Sequence, residues 1–345
     1  MAINNQNNVN KINKPIIRAS LAPMAGFTDS VFRKLCSDQG AAEVVSEMIS
    51  SVALTMNDRK TGTLAAISHG EAPVVLQLFG HDPDTMARAA EILLSGDFSG
   101  CSYATPPAGI DINMGCPVKK IFSSGDGSAL MRDSVLAAKI TAAVKEVCLK
   151  HNVPLSVKFR LGVDEAHMNY CDFGVALARA GADKITLHCR TRSQFYAPSA
   201  EPSHCGKLHE ALIEAGLRGG VTLVGNGDIE SYEDAAEYIS LGCDEVAIGR
   251  GVLGNPWLFT ALAAPERYVP PTIDDRIATV RQFVADVVAL RGEINGIRES
   301  RSRAAYFIRD IRGAAQIRDR LNHAETLVAF HAILDELHEA VRNSL

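Results

Sequence analysis

Cys116 is the residue whose setting most clearly suits chemistry. It lies in the run Gly109-Ile110-Asp111-Ile112-Asn113-Met114-Gly115-Cys116-Pro117-Val118-Lys119-Lys120, which reads as an apolar strand entering a turn. Gly115 lets the backbone turn without a Cβ penalty and Pro117 fixes the next φ, so the thiol is held in one orientation. Taken alone, this turn is expected to display Cys116 to solvent, and Lys119 and Lys120 beside it would favour the reactive thiolate.

A second set of polar groups comes from strands that are otherwise apolar. Strand side chains alternate in direction. In LSVKFRLG the apolar set Leu155, Val157, Phe159 and Leu161 points one way and leaves Ser156, Lys158 and Arg160 on the other face. The same parity puts Thr186, His188 and Arg190 together in KITLHCRT, singles out Gln77 in VVLQLFG, aligns Asn113 with Asp111, and ends VTLVGNGDI in Asn226 and Asp228. A buried lysine or histidine costs several kcal/mol without a partner, so a converging set points to a polar ligand. His188 or Gln77 alone would equally suit a satisfied core position; Lys158 in an apolar strand would not.

The elements that must position these groups follow from the alternation of β-rich and helical runs. Eight strands are predicted between Ile16 and about Ala263: IIRASLAPM, EVVSEMIS, VVLQLFG, GIDINMG, LSVKFRLG, KITLHCRT, VTLVGNGDI and EVAIGRGVL. Helices are predicted between them, for example at Pro83 to Leu94, at Ser134 to Lys150, and at Ser231 to Leu241 with Ser231 as N-cap. Strand and helix alternating eight times over about 250 residues is the pattern of a TIM (β/α)8 barrel, whose site lies at the C-terminal ends of its strands. The alternative, a doubly wound open sheet, would usually carry GxGxxG after its first strand, where this chain has Ala22-Pro23-Met24-Ala25-Gly26. The seventh and eighth strands end in Gly225-Asn226-Gly227-Asp228 and Ile248-Gly249-Arg250-Gly251. Such glycine-rich ends commonly bind phosphate through exposed backbone N–H groups, and Arg250 adds a fork of donors; two tight glycine turns are the plainer reading.

After Pro270-Pro271 the β signals stop and the remainder reads as helix. The division predicted is a disordered tail over 1–15, a barrel over 16–265 and a smaller all-helical C-terminal domain over 272–345. From Arg298 to Arg312, Ala304, Phe307, Ile308 and Ile311 form an apolar stripe at helical spacing, and Arg298, Arg301, Arg309 and Arg312 fall on an adjoining arc. That arc is either a nucleic-acid surface or a solvated face partly neutralised by Glu299 and Asp310.

Composition sets the outer bounds. With 345 residues, 47% hydrophobic and 22% charged, the chain can bury a large core, and a net charge of −5 argues against generic nucleic-acid coating while leaving room for a local basic stripe. The eight cysteines are scattered without a Cys-x-x-Cys pair or a zinc-like His spacing, so no metal site is expected and they read as cytosolic thiols. No apolar h-region or run of about 18 apolar residues occurs, so a cytoplasmic protein without membrane contact, and a monomer, is expected.

As a set, APMAGFTDSVFR, LQLFG, DINMGCPVKK, GDGSALM, VKFRLG, LHCRTRSQFY, VGNGDI and AIGRGVLGNPWLF resemble the tRNA-dihydrouridine synthases, and the tail SRAAYFIRDIRGAAQIRDRLN resembles their tRNA-contacting C-terminal domain. The likeness is closest to the bacterial branch carrying NMGCPVKK and NPWLF. It implies an enzyme that binds FMN tightly, takes electrons from NADPH and reduces uridine in tRNA. It implies Pro23, Met24 and Ala25 at the flavin ring, Gln77 and Lys158 at its polar edge with His188 nearby, and Asn226, Gly227, Asp228, Gly249 and Arg250 at the phosphate end. It also implies that hydride passes from flavin N5 to uracil C6 while Cys116 protonates C5, a task for a neutral thiol. The lysines would then face RNA phosphate, or the thiol would be kept neutral by burial under the stacked base; the first is the expectation here. Asn113 and Arg190 would read the base, and Lys119, Lys120, Arg298, Arg301, Arg309 and Arg312 would contact tRNA. The chain departs from the family at Cys189, where glycine is usual, at Pro198 to Pro202, and in an apparent insertion from Ser95 to Gly109, departures expected to bear on substrate position. Competing readings are an FMN barrel oxidoreductase acting on a small molecule, of the dihydroorotate or ene-reductase kind, and a tRNA-binding protein without turnover.

Overall fold

The computed structural model describes residues 14–342. Nine strands run parallel in the order β2-β1-β9-β8-β7-β6-β5-β4-β3, and pairing of β2 with β4 closes the ring. They are β1 Ala19–Leu21, β2 Glu43–Val45, β3 Ile49–Ser50, β4 Val74–Phe79, β5 Gly109–Met114, β6 Leu155–Arg160, β7 Lys184–His188, β8 Thr222–Asn226 and β9 Glu245–Ile248. Closure excludes the doubly wound alternative and makes an eight-membered barrel. The predicted second strand, EVVSEMIS, is interrupted: β2 and β3 lie along the same neighbour, Val45 opposite Val75 and Ile49 opposite Leu78. The break occurs because Ser46 Oγ accepts the Gln77 N–H at 3.0 Å, replacing a ladder carbonyl with a side chain.

Helices cover the outside of the ring, and the apolar residues facing them are fully buried, among them Ile112, Val157, Phe159, Ile185 and Leu223. Their starts are set by caps: Asp82 for Pro83–Ser95, Asp133 for Ser134–Lys150, and a Ser231/Asp234 capping box for Tyr232–Ser240. The Ser95–Gly109 insertion follows a helix and leads into β5, so it sits at the opposite end of the barrel from the C-terminal strand ends. Tyr103 ties it down by donating to Leu93 O at 3.0 Å, and the strand-like pairing of Tyr103 with Ile67 holds its middle. It therefore does not shape the mouth of the barrel, contrary to the expectation that it would bear on substrate position.

Four helices complete the described chain: Ile273–Arg291, Glu293–Phe307, Ala314–His323 and Leu327–Arg342. The helix expected to continue from Arg298 to Arg312 ends at Phe307. Ile308 and Ile311 keep the apolar stripe buried in the following turn, which Gly313 closes at φ +83°. Phe283 meets Phe32 edge-on at 6.2 Å and Phe307 at 6.0 Å, and Phe307 meets Trp257 at 6.4 Å, so these helices share the apolar core of the barrel wall. Most of the expected N-terminal tail lies outside the described residues. Its last two residues are exposed but tethered: Lys14 Nζ donates to Glu233 at 2.7 Å, and Tyr232 donates to Pro15 O at 2.7 Å.

Candidate active site

A cavity of about 480 Å³ opens at the C-terminal ends of the strands, within the range of cofactor sites. Every residue expected at a cofactor lines it, as do Asn113 and Cys116: Pro23, Met24, Ala25, Gln77, Lys158, His188, Asn226, Gly227, Asp228, Gly249 and Arg250. Parallel register explains the convergence. Asn113 sits opposite Lys158, Arg160 opposite His188, and His188 opposite Asn226, so one parity on four neighbouring strands delivers them together.

Asn226 organises the floor. Its Nδ2 donates to Ala247 O at 2.6 Å, which turns Oδ1 toward Lys158 Nζ and His188 Nδ1, each at 2.8 Å. The His188 proton is therefore on Nδ1. Burial, with Arg160 and Lys158 adding to it, holds the imidazole neutral by pushing its pKa well below the usual value. Its Nε2 is buried with no hydrogen-bond partner among the described residues and carries the free lone pair of a residue that lines the cavity. Burial and then Arg160 bring Lys158 down to about 7, against an opposing pull from Asp111. This lysine carries a positive charge readily only when an anionic or strongly accepting group meets it.

Cys116 is half-buried, not displayed. Burial raises its thiol pKa, while the Val118 N–H and the Arg160 guanidinium act the other way. The cation that acts on the thiol is thus Arg160; Lys119 and Lys120 are exposed, start the helix Lys119–Ser123 and do not line the cavity. The protein's own burial of the thiol is a cause that neither sequence expectation named, while the exposure of Lys119 and Lys120 leaves them free to face RNA phosphate.

Arg160 shares the strand face of Lys158. Its Nε donates to Gly115 O at 2.8 Å and its Nη1 to Thr191 O and Phe195 O at 3.0 and 3.2 Å, which holds the guanidinium beside Cys116. Nη2 makes no hydrogen bond among the described residues, and the residue lines the cavity. Arg190, expected to read a base, is absent from the cavity lining. It is buried, donates to Pro198 O at 2.6 Å and to Asp228 Oδ2, and braces the 191–200 loop against the end of β8. Asp228 is correspondingly not free to serve a phosphate: its other oxygen accepts from Arg250 Nη2 at 2.8 Å, so it aims Arg250, whose guanidinium lies 4.5 Å over the Tyr196 ring. Cys189 is buried, its Sγ 3.5 Å from Cys205, and lies outside the cavity lining.

The C-terminal helices reach the site through residues that sequence reasoning missed. Tyr306 lines the cavity and packs edge-on against Phe27 at 6.2 Å. One turn earlier, buried Arg303 donates to Asp29 Oδ2 at 2.5 Å and to Gly26 O at 2.7 Å, fastening the loop that carries Met24 and Ala25. No spacing signal could reveal a pair 274 positions apart. In the basic arc, Arg298, Arg309 and Arg312 are exposed, whereas Arg301 caps a helix end by donating to Ala324 O at 2.6 Å. Among the described residues no cluster of His, Cys, Asp or Glu could hold a metal, and no helix is long and apolar enough to cross a membrane.

The sequence profile described as dihydrouridine synthase (Dus) matches residues 20–344. A protein of Mycobacterium tuberculosis named probable tRNA-dihydrouridine synthase is 33% identical over 329 residues, covering 92% of this chain and 81% of its own length. Proteins named tRNA-dihydrouridine synthase B from Pseudomonas putida and Xanthomonas axonopodis are 34% and 36% identical, covering 88% and 93% of this chain and 86% and 92% of their own. An old yellow enzyme homologue from Zymomonas mobilis overlays 75% of this chain and 91% of its own at a TM-score of 0.48 and 12% identity, too slight a likeness to bear on chemistry. The chain belongs to the dihydrouridine synthase family of oxidoreductases.

Proposed function

We propose that the protein reduces uridine in tRNA to 5,6-dihydrouridine, with FMN as cofactor and NADPH as reductant. The observation that carries this reading is the meeting of a half-buried, protonated thiol, Cys116, with a cation-bearing floor and a glycine-rich anion corner in one cavity. The residues present fit FMN. The orphaned lone pair of His188 Nε2 suits a ribityl hydroxyl, a hydrogen-bond donor, and not a phosphate. Lys158 would meet the N1 and C2 carbonyl edge, where negative charge gathers on reduction, and Gln77 would meet the neighbouring polar edge. Arg250, aimed by Asp228, and the backbone at Gly227 and Gly249 would take the phosphate.

When bound and reduced by NADPH, FMN would supply a hydride equivalent for C6 of the uracil. Cys116 supplies the proton that completes the addition at C5, and its thiolate then regains a proton from water. Burial raises the thiol pKa, so at neutral pH it is an acid and not a nucleophile. Arg160, with Nη2 uncommitted, would meet a uracil carbonyl and stabilise the thiolate after transfer, whereas Asn113, expected to read the base, already spends its Nδ2 on Gln77 and its Oδ1 on the Gly115 and Cys116 N–H groups. The target nucleotide must leave its stack to enter the cavity. Residues 16–265 would form the FMN-binding unit, and 272–345 would orient tRNA through Arg298, Arg309 and Arg312, with Lys119 and Lys120 on phosphates near the mouth.

The test uses the purified enzyme under anaerobic conditions. A flavin absorbance bleached by NADPH, and restored by unmodified tRNA but not by orotate or simple enones, is expected. Restoration by orotate or an enone and not by tRNA, or a protein that takes up no FMN, would refute the proposal.

A further inference from the structure

The cavity lies over a buried carboxylate that none of the roles above uses. Asp111 is 3% exposed on β5, two residues below Asn113 and opposite Gln77 on β4 and Ser156 on β6. Gln77 Nε2 donates to Asp111 Oδ2 at 2.6 Å. Gln77 Oε1 accepts from Asn113 Nδ2 at 2.9 Å. Asn113 Oδ1 in turn accepts the backbone N–H groups of Gly115 and Cys116 at 3.1 and 2.8 Å. Ser156 Oγ closes the far end by donating to Asp111 Oδ1 at 2.5 Å.

Each member of this chain has its donor and acceptor ends fixed by the one before. An ionised carboxylate only accepts, so it selects the orientation of the Gln77 amide that presents Nε2. That choice turns Oε1 toward Asn113 and thereby selects Nδ2 as the facing atom, which leaves Oδ1 for the turn. Reversing Gln77 would set an oxygen against the carboxylate and an amino group against Asn113. Reversing Asn113 would set its amino group against two backbone N–H donors. With Gln77 only 1% exposed, water cannot repair either mismatch.

We propose that Asp111 is a positioning residue for Cys116: through Gln77 and Asn113 it fixes the turn that places the thiol. Its importance for catalysis rests on Cys116 being the proton donor, but the geometric claim does not. Asparagine at position 111 can keep the direction of the chain, presenting its oxygen to Gln77 and its amino group to Ser156 Oγ, whose proton is then free for Ile110 O, 3.5 Å away. Alanine cannot. Methionine at position 77 cuts the chain while leaving the carboxylate.

The experiment follows alkylation of Cys116 by iodoacetamide as a function of pH in the flavin-loaded enzyme, resolved by peptide mass spectrometry, with the half-buried Cys101 as internal reference. Asp111→Ala is expected to speed Cys116 alkylation at least fivefold at pH 8 and to move its pH midpoint down toward an ordinary thiol, because a slack turn lifts Sγ out of its burial. Asp111→Asn should stay within twofold of the parent, and Cys101 should not change in either. Should Asp111→Ala fail to fold, Gln77→Met must give the same acceleration. An unchanged Cys116 profile in Asp111→Ala, or in Gln77→Met, overturns the proposal. So does an Asp111→Asn profile matching Asp111→Ala, because the charge and not the direction of the chain would then matter. None of these outcomes depends on whether tRNA is the substrate.

Discussion

Replacing Arg303 by methionine keeps the length of the side chain in its packed setting but removes the partner of Asp29. The two side chains are 7% and 4% exposed, so the carboxylate left behind cannot be rescued by water. Breaking a buried pair from one side costs about 3–5 kcal/mol. Asp29 Oδ1 keeps its N-cap bond to Phe32 N–H at 3.0 Å, which offsets part of the loss and puts the expected cost at the low end, about 3 kcal/mol. Adding Asp29→Asn removes the stranded charge and retains the N-cap, so the double variant should recover about 2 kcal/mol relative to Arg303→Met. Urea denaturation reads this directly: at a slope of about 3 kcal/mol/M the single variant should lose about 1 M in midpoint. Flavin affinity should fall with it, because Arg303 also holds Gly26 O in the loop carrying Met24 and Ala25. A double variant no more stable than Arg303→Met would refute the reasoning, for the cost would then not come from an unpaired buried charge.

Other perturbations follow from the same geometry. Lys158, at about 7 in the folded apoprotein against 10.5 in an ordinary lysine, binds fewer protons than the unfolded chain between those values, so the fold gains stability as pH rises through that window. The stability of the parent relative to Lys158→Met should therefore be flat below pH 7 and climb by as much as about 5 kcal/mol toward pH 10.5; a pH-independent difference would mean that the lysine is not desolvated. Gly249 sits at φ −103° and ψ −102°, which a β-branched residue does not adopt, so Gly249→Val should shift the backbone of the phosphate corner and lose FMN binding more than tenfold, which flavin fluorescence titration measures. Removing Arg309 and Arg312 together should weaken tRNA binding and flatten its salt slope by about 2, whereas Arg301→Ala, which uncaps Ala324 O, should lower stability and leave the slope nearly unchanged.

Strand periodicity carried the sequence reading as far as the strands themselves extend. Lys158, His188, Asn113 and Asn226 all lie within β5 to β8, where alternation assigns the face, and all reach the cavity. Arg190 and Asp228 lie two residues beyond strands ending at His188 and Asn226. There the backbone has already turned, with Arg190 N–H donating to His188 O at 2.7 Å and Asp228 at φ +45°, so counting by twos no longer predicts direction. The Cys116 turn lies past Met114 in the same way: Arg160 holds Gly115 O, and Ser128 donates to Cys116 O through its N–H at 3.2 Å and its hydroxyl at 2.8 Å, contacts that no strand alternation encodes. The ending of the helix at Phe307 escaped notice because Ile308 and Ile311 stay buried in the turn and preserve the apolar spacing. Arg303 and Tyr306 belong to the site only because the C-terminal helices pack back onto the first barrel loop, a contact that no local pattern encodes.

The proton-donor role of Cys116 is tested most directly by a single turnover. NADPH-reduced parent and Cys116→Ala enzymes are mixed anaerobically with unmodified tRNA, and flavin absorbance is followed in a stopped flow. Flavin binding, tRNA binding and the rate of reduction by NADPH should match the parent, while reoxidation by tRNA should slow by about 10²-fold or more, the usual loss for a missing general acid. Reoxidation of Cys116→Ala at the parent rate would contradict the account.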